Sequence, residues 1–202
     1  QRRPRDRDAA DFDRVELTNL QRQILHGTDD LGRLKTESAR DRIAALNPEV
    51  RVDTLEERIT TDHLAAVVRD VDIVIDGSDN FATRFAVNAA CVAAGRPLVS
   101  GAVIGMDGQV AVFRPDQGGP CYRCVYADTG EEAQSCSETG VLGPLTGVIG
   151  SLQAVEAVKA LTGLGESLAG RLLVVDALTQ QWRRLNLRRD PQCPVCGAPS
   201  AQ

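Results

Sequence analysis

The 202-residue sequence predicts an α/β fold with a largely parallel sheet, an antiparallel extension from its late strands and a four-cysteine knuckle. Three observations lead to this prediction. Short apolar runs alternate with helical patterns, as in layered α/β proteins. The last two apolar runs follow each other with no helix between them. Two Cys-x-x-Cys pairs, Cys121–Cys124 and Cys193–Cys196, supply the knuckle.

The individual elements follow from cap and turn residues. Residues 1–10 are polar and irregular, and we expect them to be disordered. A domain over 11–197 and a short tail over 198–202 complete the predicted organisation. The predicted helices cover 33–46, 61–69, 81–94 and 144–161; the predicted strands cover 50–52, 71–76, 97–104, 109–113, 172–176 and 182–187.

Composition narrows the class of protein. The net charge of −5 argues against a nucleic-acid-binding protein, which normally carries a basic face. The basic run over 183–189 alternates with leucines, which favours a solvated strand face over a binding patch. No apolar run reaches the ~18 residues that a membrane helix needs. Six cysteines without a recognisable export signal indicate thiols or metal ligands, so we expect a cytoplasmic protein.

The two Cys-x-x-Cys pairs predict a zinc site. This spacing lets two thiolates turn inward from one tight loop, and Cys121, Cys124, Cys193 and Cys196 together supply four sulfurs. The alternative is a pair of redox dithiols, but such a pair usually opens a helix in a thioredoxin-like unit. A site with four sulfur ligands has no open coordination position, so its role should be structural.

Two other groups of residues are open to more than one interpretation. Asp11 and Asp13, followed by Arg22, could hold a ribose and phosphates, although most aspartate-rich turns are only turns. Asp79 follows a predicted buried strand, where open α/β sheets bind ligands, and could hold Mg²⁺. Alternatively, residues 77–80 only cap the next helix. Lys35, in the first turns of a helix, is unremarkable by itself.

The order of these motifs resembles that of a known family. Asp-Phe-Asp, Asn-Leu-Gln-Arg-Gln, Gly-x-x-Lys, Asp-x-x-Asp-Asn, Cys-Tyr-Arg-Cys, Cys-x-x-x-Gly-Val-Leu-Gly and Cys-Pro-Val-Cys run in one order over about residues 11–197. This combination resembles the MoeB, ThiF and HesA adenylyltransferases, relatives of the ubiquitin-activating enzymes. The resemblance implies a Rossmann-like sheet and an enzyme that activates a ubiquitin-like sulfur carrier of the MoaD or ThiS type.

The resemblance also implies roles for individual residues. ATP would react with the C-terminal Gly-Gly carboxylate of the carrier, giving an acyl-adenylate and pyrophosphate. Asp11 would hold the ribose and Asp79 would bind Mg²⁺. The remaining nucleotide-site residues implied are Asp13, Asn19, Arg22, Gln23, Lys35 and Asn80. A carboxylate needs no general base, so Arg22, Lys35 and Mg²⁺ would serve to bring two anions together.

Cys136 precedes Gly140-Val-Leu-Gly143, where some relatives use a cysteine for acyl or persulfide chemistry. No His or Lys adjoins it in sequence to lower the pKa of its thiol, so a spare exposed thiol is the alternative. Cys91, in an apolar helix, should be core packing. The helix over 144–161 is apolar over most of its surface, with a narrow polar stripe of Gln153, Glu156 and Lys159. Together with the resemblance, this predicts a homodimer.

The family's first strand and its Gly-x-Gly-Gly-x-Gly loop, which would bind phosphates at a helix N-terminus, have no counterpart before Asp11. We therefore expect either an N-terminally truncated domain or a sequence whose start is wrongly assigned, and in both cases a chain that by itself is inactive. Three functions remain open: a molybdopterin-pathway or thiamine-pathway adenylyltransferase, a zinc-stabilised module that docks a carrier or dimerises without adenylation, and, least supported, a nicotinamide oxidoreductase.

Overall fold

The computed structural model describes residues 6–55, 60–127 and 140–197. The chain divides into two compact units, residues 1–60 and 61–202. No helix in the described ranges is long and apolar enough to cross a bilayer.

The first unit contains a β-α-β arrangement. Strand β1 (Asp6–Ala10) runs parallel to β2 (Arg51–Leu55), and helix α1 (Lys35–Leu46) lies between them in sequence. Two 3₁₀ turns, Leu17–Asn19 and Thr28–Asp30, precede the helix. Helix α1 ends at Asn47, whose backbone is extended because a proline follows.

Strand β1 corrects a prediction, because residues 6–10 were expected to be irregular. The segment Asp-Arg-Asp-Ala-Ala has no β-branched or aromatic residue, so local preference does not favour a strand. Register pairing with β2, from Asp6↔Arg51 to Ala10↔Leu55, satisfies its backbone polar groups regardless of side-chain type.

The second unit is a five-stranded sheet in the order β3-β4-β5-β6-β7. Its strands are β3 (Val74–Asp76), β4 (Leu98–Ile104), β5 (Asp107–Phe113), β6 (Arg171–Asp176) and β7 (Gln181–Asn186). Its helices are α2 (Thr61–Arg69), α3 (Phe81–Ala94), α4 (Tyr122–Val125) and α5 (Gly143–Thr162).

The prediction of a largely parallel sheet is wrong for this unit. Among the strands of the described residues of this unit, only β3 and β4 pair in parallel; the three pairs from β4 to β7 are antiparallel. The reason is partly the length of the connections, since β4 joins β5, and β6 joins β7, through turns too short for a parallel crossover. The fold is therefore a mixed α/β fold in which antiparallel pairing predominates.

Local signals set the limits of α3 and α5 as predicted. The Asn80 side chain accepts a hydrogen bond from the Thr83 amide at 2.8 Å and caps α3, and Gly95 ends the helix in the left-handed region at φ 62°. Gly163 ends α5 in the same way at φ 72°. A buried cluster between α5 and the sheet includes Val99, Val110 and Ile149.

Two residues of the narrow polar stripe predicted for α5 lie on its buried face. Gln153 and Glu156 are 7% and 5% exposed. The opposite face is apolar and exposed, and we call it the α5 outer face. Its members are Val148, Val155, Val158 and Leu161, which are 41%, 52%, 53% and 53% exposed.

Candidate functional site

Four cysteine thiols from distant parts of the second unit meet at one point. Cys121 and Cys124 lie at α4, and Cys193 and Cys196 lie in the turns that follow β7. All four sulfur atoms lie within 4.8 Å of one another. The Sγ–Sγ distance is 3.9 Å for Cys121–Cys124, 3.7 Å for Cys121–Cys193 and 3.3 Å for Cys124–Cys196. Zinc–sulfur bonds of ~2.3 Å in a tetrahedron place sulfurs about 3.8 Å apart, so the cluster has the dimensions of a metal site.

The surroundings of the cluster also suit a bound cation. The Asn88 amide nitrogen lies 3.7 Å from Cys121 Sγ, and the Asp190 backbone N–H donates to Cys124 Sγ at 3.5 Å. Asn88 also accepts a hydrogen bond from the Tyr122 amide at 2.8 Å, which fixes its orientation. Hydrogen bonds of this kind orient metal ligands and stabilise thiolates. The prediction that the two cysteine pairs come together is confirmed.

In the first unit, Lys35 lies between two aspartates. Its Nζ is 2.7 Å from Asp13 Oδ2 and 3.8 Å from Asp11 Oδ2. The Lys35 side chain is only 12% exposed, whereas the two carboxylates are 41% and 54% exposed. Asp11 is held in turn by the Asp13 amide, which donates to Asp11 Oδ1 at 2.8 Å. The side chains of Lys35, Asp11 and Asp13 thus place an ammonium group beside two accessible carboxylates, just after the end of β1.

The other nucleotide-site candidates of this unit take part in local structure. Asn19 is buried, and its side-chain oxygen accepts from the Glu16 amide at 3.4 Å. Arg22 is half-buried and donates from Nη1 to the Thr18 carbonyl at 3.0 Å. Gln23 Oε1 is buried and has no hydrogen-bond partner among the described residues. A ligand contact by Arg22 would therefore use guanidinium donors other than the one bonded to Thr18.

In the second unit, Asp79 lies in the turn between β3 and α3 and is exposed. The cap of α3 is supplied by Asn80, so the Asp79 carboxylate is not needed for it. Within the described part of this unit, Asp79 forms no hydrogen bond or ion pair. An exposed carboxylate at the carboxyl end of a strand can accept a cation without breaking any bond of the fold.

Several buried polar side chains around this turn were not predicted as part of a site. Asp76, Arg84 and Gln153 are 6%, 7% and 7% exposed. Gln153 donates from α5 to the Asp76 carbonyl at 2.8 Å, and a Cβ on Gly101 would lie 2.5 Å from Gln153 Oε1. A signal was available in α3, where Arg84 and Asn88 are four residues apart and therefore share one face of an otherwise apolar helix.

Cys136, the candidate for acyl or persulfide chemistry, lies outside the described residues. Cys91 is 1% exposed, as predicted for core packing, and burial raises the pKa of its thiol to about 12. His26 contacts Ser38 Oγ through Nδ1 at 2.8 Å, and burial lowers the pKa of its imidazole below the ordinary value of 6.5.

The basic run on β7 is solvated, as predicted, since all six residues of the strand are exposed.

Comparison with known proteins supplies the biochemical context. The model of the ThiF family matches residues 8–195. The molybdopterin-synthase adenylyltransferase of Escherichia coli (strain K12) is 48% identical over 187 residues, which cover 93% of this chain and 75% of that protein. The sulfur carrier protein ThiS adenylyltransferase of the same strain is 45% identical over 192 residues, 95% of this chain and 76% of that protein.

Among solved structures, E. coli MccB crystallised with ATP has a similar fold. The TM-score is 0.81 at 24% sequence identity, and the match covers 95% of this chain and 59% of the MccB chain. The chain thus spans about three fifths of that protein. At 24% identity, the structural likeness shows a shared fold and nothing more.

Proposed function

This chain belongs to the ThiF family, and from that premise we propose that it acts as an ATP-dependent adenylyltransferase for a ubiquitin-like sulfur carrier. The observation that carries the proposal is its 48% identity, over 93% of its length, to a molybdopterin-synthase adenylyltransferase. A MoaD-like carrier of molybdopterin synthesis is the first substrate to test. A ThiS-like carrier of the thiamine pathway is the second, because the ThiS adenylyltransferase is nearly as similar, at 45%.

The proposed reaction joins two anions. The C-terminal carboxylate of the carrier attacks the α-phosphate of ATP, a phosphorus–oxygen bond forms, and pyrophosphate leaves. Bound Mg²⁺ would neutralise the departing pyrophosphate. We assign Asp11 to the ribose hydroxyls and Lys35, with Arg22, to the phosphates. Lys35 is already paired with Asp13 at 2.7 Å, so a phosphate would take over part of an existing ion pair instead of meeting an isolated charge.

Zinc is the metal that we propose for the four-cysteine cluster. The donor set is four sulfurs, their separations match tetrahedral coordination, and three of the four residues are buried. Because four thiolates fill the coordination sphere, the ion would hold α4 to the segment after β7 and take no part in the chemistry.

We also propose that two copies associate through the α5 outer face. An exposed apolar stripe on a long helix is the usual mark of a surface that another protein covers. Gln153 and Glu156 face inward, so neither of these side chains makes the outward face polar. A second copy is the partner that fits, because a two-fold contact lets the same stripe pack against itself.

The decisive experiment is ATP–pyrophosphate exchange that depends on the carrier. The chain is assayed as it stands and with a family glycine-loop segment fused to its N-terminus, against MoaD-like and ThiS-like carriers. Exchange should appear with a carrier that ends in Gly-Gly and disappear when the last glycine is removed. If neither version exchanges with either carrier, adenylation is refuted. Carrier binding without exchange would support the non-catalytic docking module instead.

We also propose Asp79 as the magnesium ligand, and Asp79→Asn tests this assignment. The substitution keeps the shape of the side chain but removes its charge, so exchange should fall by about 10²–10³-fold. The melting temperature should hardly change, because Asn80 supplies the helix cap. Asp72→Asn, at another exposed aspartate of the same unit, is the matched control and should leave exchange intact. Unchanged exchange in Asp79→Asn would contradict the assignment.

A further inference from the structure

The turn between β3 and α3 is fixed on both sides of Asp79. Asp76 Oδ1 accepts a hydrogen bond from the Ser78 amide at 2.9 Å. The Ser78 carbonyl accepts two bonds from Arg84, from Nε at 3.0 Å and from Nη2 at 2.5 Å. Asn80 is held by its own capping bond to Thr83. Both backbone polar groups of Ser78 are thus bonded to buried, ionisable side chains, whereas the adjoining Asp79 side chain is exposed.

Burying the Arg84 guanidinium at this turn opposes folding. Its side chain lies inside the unit, 7% exposed, with its guanidinium carbon 6.0 Å from the centroid of the Phe81 ring. Within the described part of residues 61–197 the guanidinium forms no ion pair, and its described hydrogen bonds go to a neutral carbonyl. Asp76 is the buried carboxylate at the same turn, but it accepts from the Ser78 amide and forms no direct ion pair with Arg84. Burying a charge that forms no direct ion pair opposes folding. Stability by itself therefore does not account for a guanidinium at this position.

The geometry of the donors indicates what the guanidinium contributes. Two N–H groups of a planar fork converge on one oxygen, which restrains the peptide between Ser78 and Asp79 in direction as well as in position. Gln153 holds the preceding carbonyl, that of Asp76, at 2.8 Å. With the backbone restrained before and after Asp79, only the rotation of its own short side chain remains free.

We propose that Arg84 is a positioning residue for the metal that Asp79 binds: it fixes the Ser78 carbonyl and thereby the backbone from which the Asp79 carboxylate would reach magnesium. This inference rests on the proposed function, since it takes Asp79 as the magnesium ligand. Outer-shell partners of metal ligands typically change metal affinity by about 10–100-fold when removed, and we expect a loss in that range for Arg84.

The test measures metal binding directly, in the preparation used for the exchange assay. Mn²⁺ with a non-hydrolysable ATP analogue is titrated by electron paramagnetic resonance into the wild type, Arg84→Met and Arg84→Lys. Arg84→Met should weaken Mn²⁺ binding by about 10-fold or more. Arg84→Lys should recover part of the loss, because an ammonium group can donate to the carbonyl but cannot form a fork. Amide hydrogen exchange over 77–80 should accelerate in the same order.

Arg96→Met is the matched control for a merely structural role. Arg96 also donates to a backbone carbonyl of this unit, from Nη2 to Arg69 at 2.8 Å, but away from the Asp79 turn. It should lower the melting temperature and leave Mn²⁺ affinity unchanged, and all variants are compared at a temperature where each is fully folded.

The outcomes separate the two proposals. Mn²⁺ affinity that falls in Asp79→Asn but not in Arg84→Met overturns the positioning role and leaves the proposed function intact. Equal losses in Arg84→Met and Arg96→Met also overturn it. A wild type that exchanges pyrophosphate, with Mn²⁺ binding that is insensitive to Asp79→Asn, overturns the magnesium assignment and this inference together. Absence of exchange in the wild type is the separate failure of the proposed function.

Discussion

Replacing Cys193 with serine should remove the metal and loosen the second unit. Cys193 and Cys121 are 72 residues apart, and the bound ion would close the chain between them. By the estimate used for disulfides, cross-linking a loop of that length is worth about 4 kcal/mol through the unfolded state. A melting temperature changes by roughly 2–4 °C per kcal/mol in a protein of this size, so the decrease should be roughly 8–16 °C.

Two measurements check this prediction. Elemental analysis of protein purified without added metal should give one zinc per wild-type chain and none for Cys193→Ser, and calorimetry gives the melting temperature. Cys91→Ala is the control, because it removes a buried thiol outside the cluster and should cost stability without loss of zinc. Asn88→Ala should retain one zinc but release it more readily to a chelator, since Asn88 contacts Cys121 Sγ. A fully loaded Cys193→Ser protein would refute the four-thiolate site.

Three further predictions follow from other parts of the chain. Val155→Glu, on the α5 outer face, should convert a dimer to a monomer in light scattering, whereas Leu178→Glu, which is equally apolar and 75% exposed, should not; a wild type that is monomeric at micromolar concentration would count against the interface. Gly101→Ala should destabilise by about 1–3 kcal/mol, because its Cβ would meet Gln153, and adding Gln153→Ala should relieve part of the loss if that contact is the cause. Burial lowers the pKa of His26 in the folded protein, so its contribution to stability is complete above about pH 6.5 and is lost as the pH falls through the lowered value; His26→Gln should flatten this dependence in denaturant titrations, and an unchanged profile would exclude His26 as its source.

The parts of the fold that sequence predicted well are those with local causes. The α3 helix could be delimited from Asn80 and Gly95, since a cap and a left-handed glycine act within one turn. The hairpin of β4 and β5 follows from its short turn. The cysteine cluster was predictable although its two pairs are 72 residues apart in sequence. Cys-x-x-Cys spacing lets both thiols of a pair point to one side of a tight loop, and two such pairs complete a four-sulfur site.

The parts that were missed depend on tertiary partners. β1 forms because β2 offers a parallel neighbour, which no property of Asp-Arg-Asp-Ala-Ala indicates. Gln153 and Glu156 face inward because buried backbone groups need partners: Gln153 bonds the Asp76 carbonyl, and Glu156 accepts from the Leu168 amide at 2.7 Å. Hydropathy ranks both residues as surface residues, so composition alone does not predict that they face inward.

Trp182 gives this protein an optical probe at a defined place. It is the only tryptophan of the sequence, and its indole is 51% exposed on β7, the edge strand of the five-stranded sheet. Its fluorescence therefore reports on one edge of the second unit and on no other region. A protein that adds to that edge will shift the emission to shorter wavelength and shield the indole from acrylamide, whereas ligands bound elsewhere will leave the spectrum unchanged. Binding at β7 can thus be followed with the unmodified chain, without an attached dye.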